Sequence, residues 1–153
     1  MTTAAQPTRK PHFNHVAMSV PADLLDEQHR TDIVRFYDEV FGFKELPTET
    51  EDRRKLVLSV HTYEQFVFLI ADDPPMACPR LDHFGMSVAT ERELDDMLAR
   101  ARAFQARDDR VDIVDREVTD HGMLAITSFY VRYLLPLMVE VQWWDFKKSD
   151  EPA

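Results

Sequence analysis

Asn14-His15-Val16-Ala17-Met18-Ser19-Val20 is answered 68 residues later by Asp82-His83-Phe84-Gly85-Met86-Ser87-Val88. Each copy has the composition of a short strand, and each runs into a stretch of helical periodicity, so the chain reads as two modules built on one plan. After the first copy, Ile33, Phe36, Tyr37, Val40 and Phe41 recur at i, i+3, i+4, i+7 and i+8 and stop at Gly42. That spacing gives an amphipathic helix with a glycine terminator, and Thr31 or Asp32 is placed to cap its start. After the second copy, Thr90 and Glu93 form a capping box ahead of the apolar stripe Leu94, Met97, Leu98 and Ala101, with an end expected near Phe104. Three strand-like runs follow each helix, at 43–47, 55–60 and 65–71, then at 111–118, 123–133 and 135–144. The order is βαβββ twice, an α+β chain with modules at about 12–72 and 80–146 in one domain. Asp72-Asp73-Pro74-Pro75 marks the linker, because proline cannot continue a central strand. The polar ends, 1–11 and 147–153, are expected to fray.

Bulk properties exclude several function classes. A chain of 153 residues is one domain's worth. With 28 acidic against 18 basic residues the formal charge is −10, a sign that repels phosphate backbones and anionic headgroups. Neither nucleic acid nor a membrane surface is an expected partner. No apolar run approaches the roughly 20 residues of a membrane span, and the opening residues lack the apolar core of a secretion signal. A lone Cys78 forbids an internal disulfide and any CxxC motif, so a reducing, cytoplasmic setting is expected. The glycines are only Gly42, Gly85 and Gly122, too few and too dispersed for a phosphate-cradling loop or a dinucleotide fingerprint.

Candidate chemistry begins with the two histidines of the echo. Alternate strand residues share a face, so His15 lies with Phe13, Ala17 and Ser19, and His83 with Gly85 and Ser87, while Val16, Met18 and Val20, and Phe84, Met86 and Val88, face the opposite way. Each imidazole therefore projects over small neighbours. A strand histidine is often only a half-buried residue bonded to backbone, but repetition in two symmetry-related modules brings equivalent residues towards a shared groove. The third candidate is Glu140 in Leu137-Met138-Val139-Glu140-Val141. A carboxylate in so apolar a strand needs a metal cation, an arginine partner such as Arg132, access to water, or a proton. The first module offers nothing equivalent, since the matching position falls near Leu69.

At these residues the sequence resembles the vicinal oxygen chelate superfamily, which includes glyoxalases, fosfomycin and bleomycin resistance proteins and type I extradiol dioxygenases. The resemblance covers 13–144. It implies a mixed sheet curled around a metal-binding cleft, with His15, His83 and Glu140 as ligands, often in a homodimer that closes the cleft within one chain or by module exchange. Two histidines and one carboxylate suit Fe(II), with Mn, Zn or Ni as other candidates. The segment Thr119-Asp120-His121, seven residues, Phe129-Tyr130, then Pro136 and three residues before Glu140, is similar to the extradiol signature. That likeness implies His121 as acid–base and Tyr130 as hydrogen-bond donor in cleaving a small catecholic substrate with O₂. It departs where those enzymes carry a strand-four histidine, for here stand Gln65 and Phe66, with His61 nearby. The alternatives are a non-redox metalloenzyme of the superfamily acting on vicinal oxygens, as a glyoxalase-like lyase, isomerase or thiol transferase, and a drug-binding resistance protein.

Overall fold

The structure is a computed structural model that describes residues 12–46 and 53–147. The first half runs β1 (His15–Val20), a single 3-10 turn, α1 (Glu27–Phe41), β2 (Lys44–Glu45), β3 (Lys55–Ser59) and β4 (Phe66–Ala71). The second runs β5 (His83–Val88), α2 (Glu91–Gln105), β6 (Val111–Asp120), β7 (Leu124–Tyr133) and β8 (Met138–Phe146). This is βαβββ twice. Each half makes its own four-stranded mixed sheet, ordered β1-β4-β3-β2 and β5-β8-β7-β6. In each, the echo strand lies parallel to the last strand of its module, His15 beside Phe66 and His83 beside Met138, and the remaining pairs are antiparallel. β1 and β5 thus stand at an edge of their own sheets. No described helix is long and apolar enough to cross a membrane.

Local chemistry explains the boundaries. The Asp26 side chain, not Thr31 or Asp32, caps α1 by accepting from the His29 amide, so the helix starts a full turn earlier than its apolar stripe indicates. Thr31 instead donates back to the Glu27 carbonyl, and the buried Asp32 is paired with the partly exposed Arg110. Gly42 ends the helix in the left-handed region at φ 76°, where a side chain would be strained. In α2 the capping box of Thr90 and Glu93 is formed in both directions. The strand expected over 135–144 begins only at Met138, because Leu134 turns with φ 61° and Pro136 has no amide to give a ladder. The strand expected over 43–47 is reduced to Lys44–Glu45, and Pro47 lies outside the described residues, as do 1–11 and 148–153 of the tails.

The core sits on the helix side of both sheets. Phe36 of α1 stacks on Tyr133 of β7 at 4.7 Å and meets Phe104 of α2 edge-on at 5.0 Å, so one aromatic cluster spans the two halves. The buried Tyr37 hydroxyl donates to the Tyr133 carbonyl, and burial pushes its phenol well above the ordinary value. Above this cluster Arg110 reaches Asp32 of α1 at 2.8 Å, Asp108 at 2.6 Å and the Tyr133 hydroxyl at 2.6 Å. For Asp32, burial opposes ionisation, but hydrogen bonds from Arg110 and Gln28 outweigh it and hold the carboxyl below its usual range. Asp108 is held low by Arg110 first, against a smaller burial cost, with help from Tyr133.

Both carboxyls are depressed in the folded state, so their contribution is complete above the ordinary carboxylate range, about pH 4, and is lost as pH falls below it. Arg110→Ala leaves the buried Asp32 with only the half-exposed Arg35, 3.1 Å away, as its cation. Because the guanidinium is partly exposed, the cost expected is about 2–3 kcal/mol, below that of a fully buried pair. Urea titration at pH 7 measures it, and the difference from the unaltered protein should shrink at pH 3.

Candidate metal centre

The second sheet positions a carboxylate and an imidazole on its open face. Val139 and Val141 of β8 point into the helix-side core, which turns Glu140 to the other side. β8 lies between β5 and β7, where Gly85 and Tyr130 are the register partners of Glu140. Glu140 is 7% exposed, and a Cβ built on Gly85 would stand 3.7 Å from its Oε2, so glycine leaves that oxygen uncovered. His83, two residues before Gly85, directs its Nε2 to the same oxygen at 3.3 Å. Its Nδ1 lies 2.7 Å from the Leu81 carbonyl, which can only accept, so Nδ1 carries a proton and Nε2 is the atom presented to Glu140. Histidine ligands are oriented in this way by a bond from the other ring nitrogen.

These donors fit a divalent cation. Two ligand atoms each about 2.0–2.2 Å from a tetrahedral ion stand roughly 3.3–3.5 Å apart, and the pair has that spacing before any ion enters. Tyr130 braces both members. Its ring meets the His83 ring edge-on at 5.1 Å, and its interaction with Glu140 together with burial pushes the phenol above its ordinary value. Ser128 stands one step along the same face of β7, beside Gln142. The arginine alternative for Glu140 is not realised. Arg132 is paired with Asp112 at 3.1 Å, shares it with Arg80, and donates to the Pro136 carbonyl.

The other candidates stand elsewhere. The His15 ring lies flat on Phe66 at 4.7 Å and its Nδ1 is bonded to Asn14. It opens on a cavity of about 510 Å³ shared with His61, Gln65, Phe66, Phe84 and Met86, a cavity that neither His83 nor Glu140 lines. Among the described residues no three His, Cys, Asp or Glu side chains gather to hold a metal ion. One chain therefore brings together His83, Glu140 and Tyr130 and leaves His15 apart. His121 occupies the β6–β7 turn, where its amide bonds the Leu124 carbonyl, and Leu124 pairs with Phe146. It lies six residues of β8 beyond Glu140, roughly 20 Å along the strand, and is not beside the pair. The register also shifts the first-module equivalent of Glu140 by one position. Ala17 pairs with Phe68 as Gly85 pairs with Glu140, so the equivalent is Phe68, on the open face, and Leu69 belongs to the core. Sequence reasoning missed Ser128 and Gln142, although their spacing of two from Tyr130 and Glu140 already places them on the same face.

No protein-family model and no curated protein matches the sequence. Solved structures do match along nearly the whole chain. The chain is similar to lactoylglutathione lyase from Agrobacterium tumefaciens, with TM-score 0.58 and 17% identity over 91% of this chain and 96% of that one. A glyoxalase/bleomycin resistance protein/dioxygenase from Alicyclobacillus acidocaldarius gives TM-score 0.59 and 15% identity over 90% and 95%. The genomically encoded fosfomycin resistance protein from Listeria monocytogenes gives 0.57 and 13% over 88% and 94%. The chain thus has the paired βαβββ fold of the glyoxalase, bleomycin resistance and fosfomycin resistance proteins, the fold of the vicinal oxygen chelate superfamily.

Proposed function

We propose that the protein is a divalent-metal enzyme acting on a small substrate with two neighbouring oxygens, its centre completed between two copies of the chain. The observation that carries this reading is the His83–Glu140 pair: a buried carboxylate facing an imidazole already oriented through Leu81, at the spacing of two ligands on one ion. His15 is the remaining ligand, supplied by the second copy. β1 and β5 are each one of the two edge strands of their sheets, six residues long, with small residues beside the histidines. A two-fold axis that sets β1 of one copy against β5 of the other makes two equal centres from one contact surface.

When bound, the metal supplies Lewis acidity towards the two substrate oxygens. The protein's own groups do the rest. Glu140 and His83 would hold the ion, and Tyr130, its ring edge-on to His83 and interacting with Glu140, would steady both. Phe66 stacks on the His15 ring, so its orientation costs little when the second copy arrives. This favours a lyase, isomerase or transferase without redox change, the lyase being the activity that the lactoylglutathione lyase neighbour carries in its name. Ring cleavage of a catechol with O₂ and Fe(II) is the second reading, favoured by Tyr130 standing against both His83 and Glu140, but His121 does not reach the pair to serve as its acid–base.

Three measurements check these statements. His15→Ala and Glu140→Ala should each abolish Zn or Mn binding in calorimetry, and a dissociated and reassociated mixture of the two should regain one site per mixed dimer. A mixture that stays silent, from proteins shown to exchange subunits, opposes a centre shared between copies. Tyr130→Phe should weaken metal binding about 10–100-fold, the range for loss of a group that orients a ligand. Anaerobic loading with Fe(II), followed by catechols and air, separates the two reaction classes: oxygen uptake supports ring cleavage, and its absence across a broad panel leaves the non-redox reading.

A further inference from the structure

The open face of the second sheet continues past the metal pair, and its chemistry changes in steps. Along β8 the residues sharing the face of Glu140 are Gln142, Trp144 and Phe146. Their register partners on β7 are Ser128, Ile126 and Leu124, and Ser87 of β5 stands beside Gln142. The face therefore runs from an acidic, imidazole-bearing end, through a band of one amide and two hydroxyls, to an aromatic and aliphatic end. A shallow groove joins Gly85 and Ser87 to Gln142, Trp144 and Phe146.

The aromatic end is exposed in a way that its neighbour is not. Trp143 packs on the helix-side core, whereas Trp144 is 45% exposed and Phe146 67% exposed, their rings 6.1 Å apart and tilted by 41°. Two large aromatic rings side by side on an open sheet face are uncommon unless they are covered in use. Trp144 is also held in place, because its indole N–H donates to the Gln142 side-chain oxygen at 2.9 Å. The bond takes up the Gln142 side-chain oxygen, and Gln142, whose amide nitrogen is a donor, is part of the groove lining. A fixed tryptophan face with a hydrogen-bond donor beside it is suited to a planar ligand group carrying an oxygen acceptor.

We propose that this face is an elongated substrate trough, taking a ligand that brings paired oxygens to the metal at one end and stacks a planar aromatic group on Trp144 at the other. The inference rests on the metal reading above for its first end and on Trp144, Gln142 and Phe146 for its second. Four residues of strand separate Glu140 from Trp144, roughly 13 Å. The ligand class is therefore an extended molecule of about that reach, an acceptor-bearing chain tipped with an aryl group, rather than a bare catechol or a two-carbon oxoacid.

The test uses Zn-loaded dimeric protein and two chelating probes, acetohydroxamate and 5-phenylpentanohydroxamate, in calorimetry. The aryl-tailed probe should bind at least tenfold more tightly, and in Trp144→Ala the ratio between the probes should fall towards one. Equal affinities in the unaltered protein, or a ratio that survives Trp144→Ala, overturn the proposal. Light scattering of Trp144→Ala is run alongside. Loss of the dimer in that variant assigns the aromatic end to a second copy of the chain and likewise overturns the proposal. Should neither hydroxamate bind, the metal reading has failed, and the aromatic end is read on metal-free protein with 5-phenylpentanamide. Quenching of tryptophan fluorescence that is lost in Trp144→Phe supports the aromatic end, and its absence in the unaltered protein rejects it.

Discussion

A carboxylate buried in the middle of an apolar strand sets the terms for the rest of the molecule. Glu140 stands in the central part of its sheet, between β5 and β7, with valines on either side facing the core. Left unpaired there it would cost several kcal/mol. The fold answers with an oriented histidine, a tyrosine and a glycine that keeps one carboxylate oxygen clear. Arginines are present on the same sheet, but Asp112 and the Pro136 carbonyl occupy Arg132, so Glu140 remains open to a small cation.

The packing separates stability from chemistry. All the large aromatic contacts that tie the halves together, Phe36 with Phe104 and Tyr133 above all, lie on the helix side, together with the Asp32–Arg110–Asp108 ion pairs. The opposite faces carry small or polar residues along β1 and β5. Each of these strands pairs on one side only, and its partner strand holds it parallel through backbone bonds. An unpaired edge is a standing invitation to another strand. Here the two edges have equal length and bear the two equivalent histidines, which gives a two-fold association a direct chemical consequence.

Much of this was legible in the sequence because it rests on period-two and period-3.6 patterning, which local geometry enforces. The echo around His15 and His83 located β1 and β5, the Thr90–Glu93 box located α2, and Gly42 located the end of α1. Glu140 was legible as a residue out of place. What was not legible depends on contacts between distant segments. Asp32 read as a helix cap because its role is to meet Arg110, 78 residues away in sequence. The equivalent of Glu140 was misplaced by one residue, from Phe68 to Leu69, because a strand register is fixed by its neighbour and a slip of one reverses the face. His121 shared the spacing of a signature, yet the β6–β7 turn carries it to the far end of the sheet. Tyr130, from the same signature, stands at the pair, because its position is set by ladder bonds to β8 rather than by a turn.

The His83–Glu140 pair is proposed to supply two ligands of one divalent cation. Anomalous diffraction at the zinc edge from crystals grown with Zn tests it most directly. One peak about 2.0–2.2 Å from both His83 Nε2 and a Glu140 oxygen, with His15 of a second copy at a similar distance, is the expected result. A pair that keeps its direct 3.3 Å contact with no anomalous density beside it, in crystals where zinc is bound elsewhere, would contradict the account.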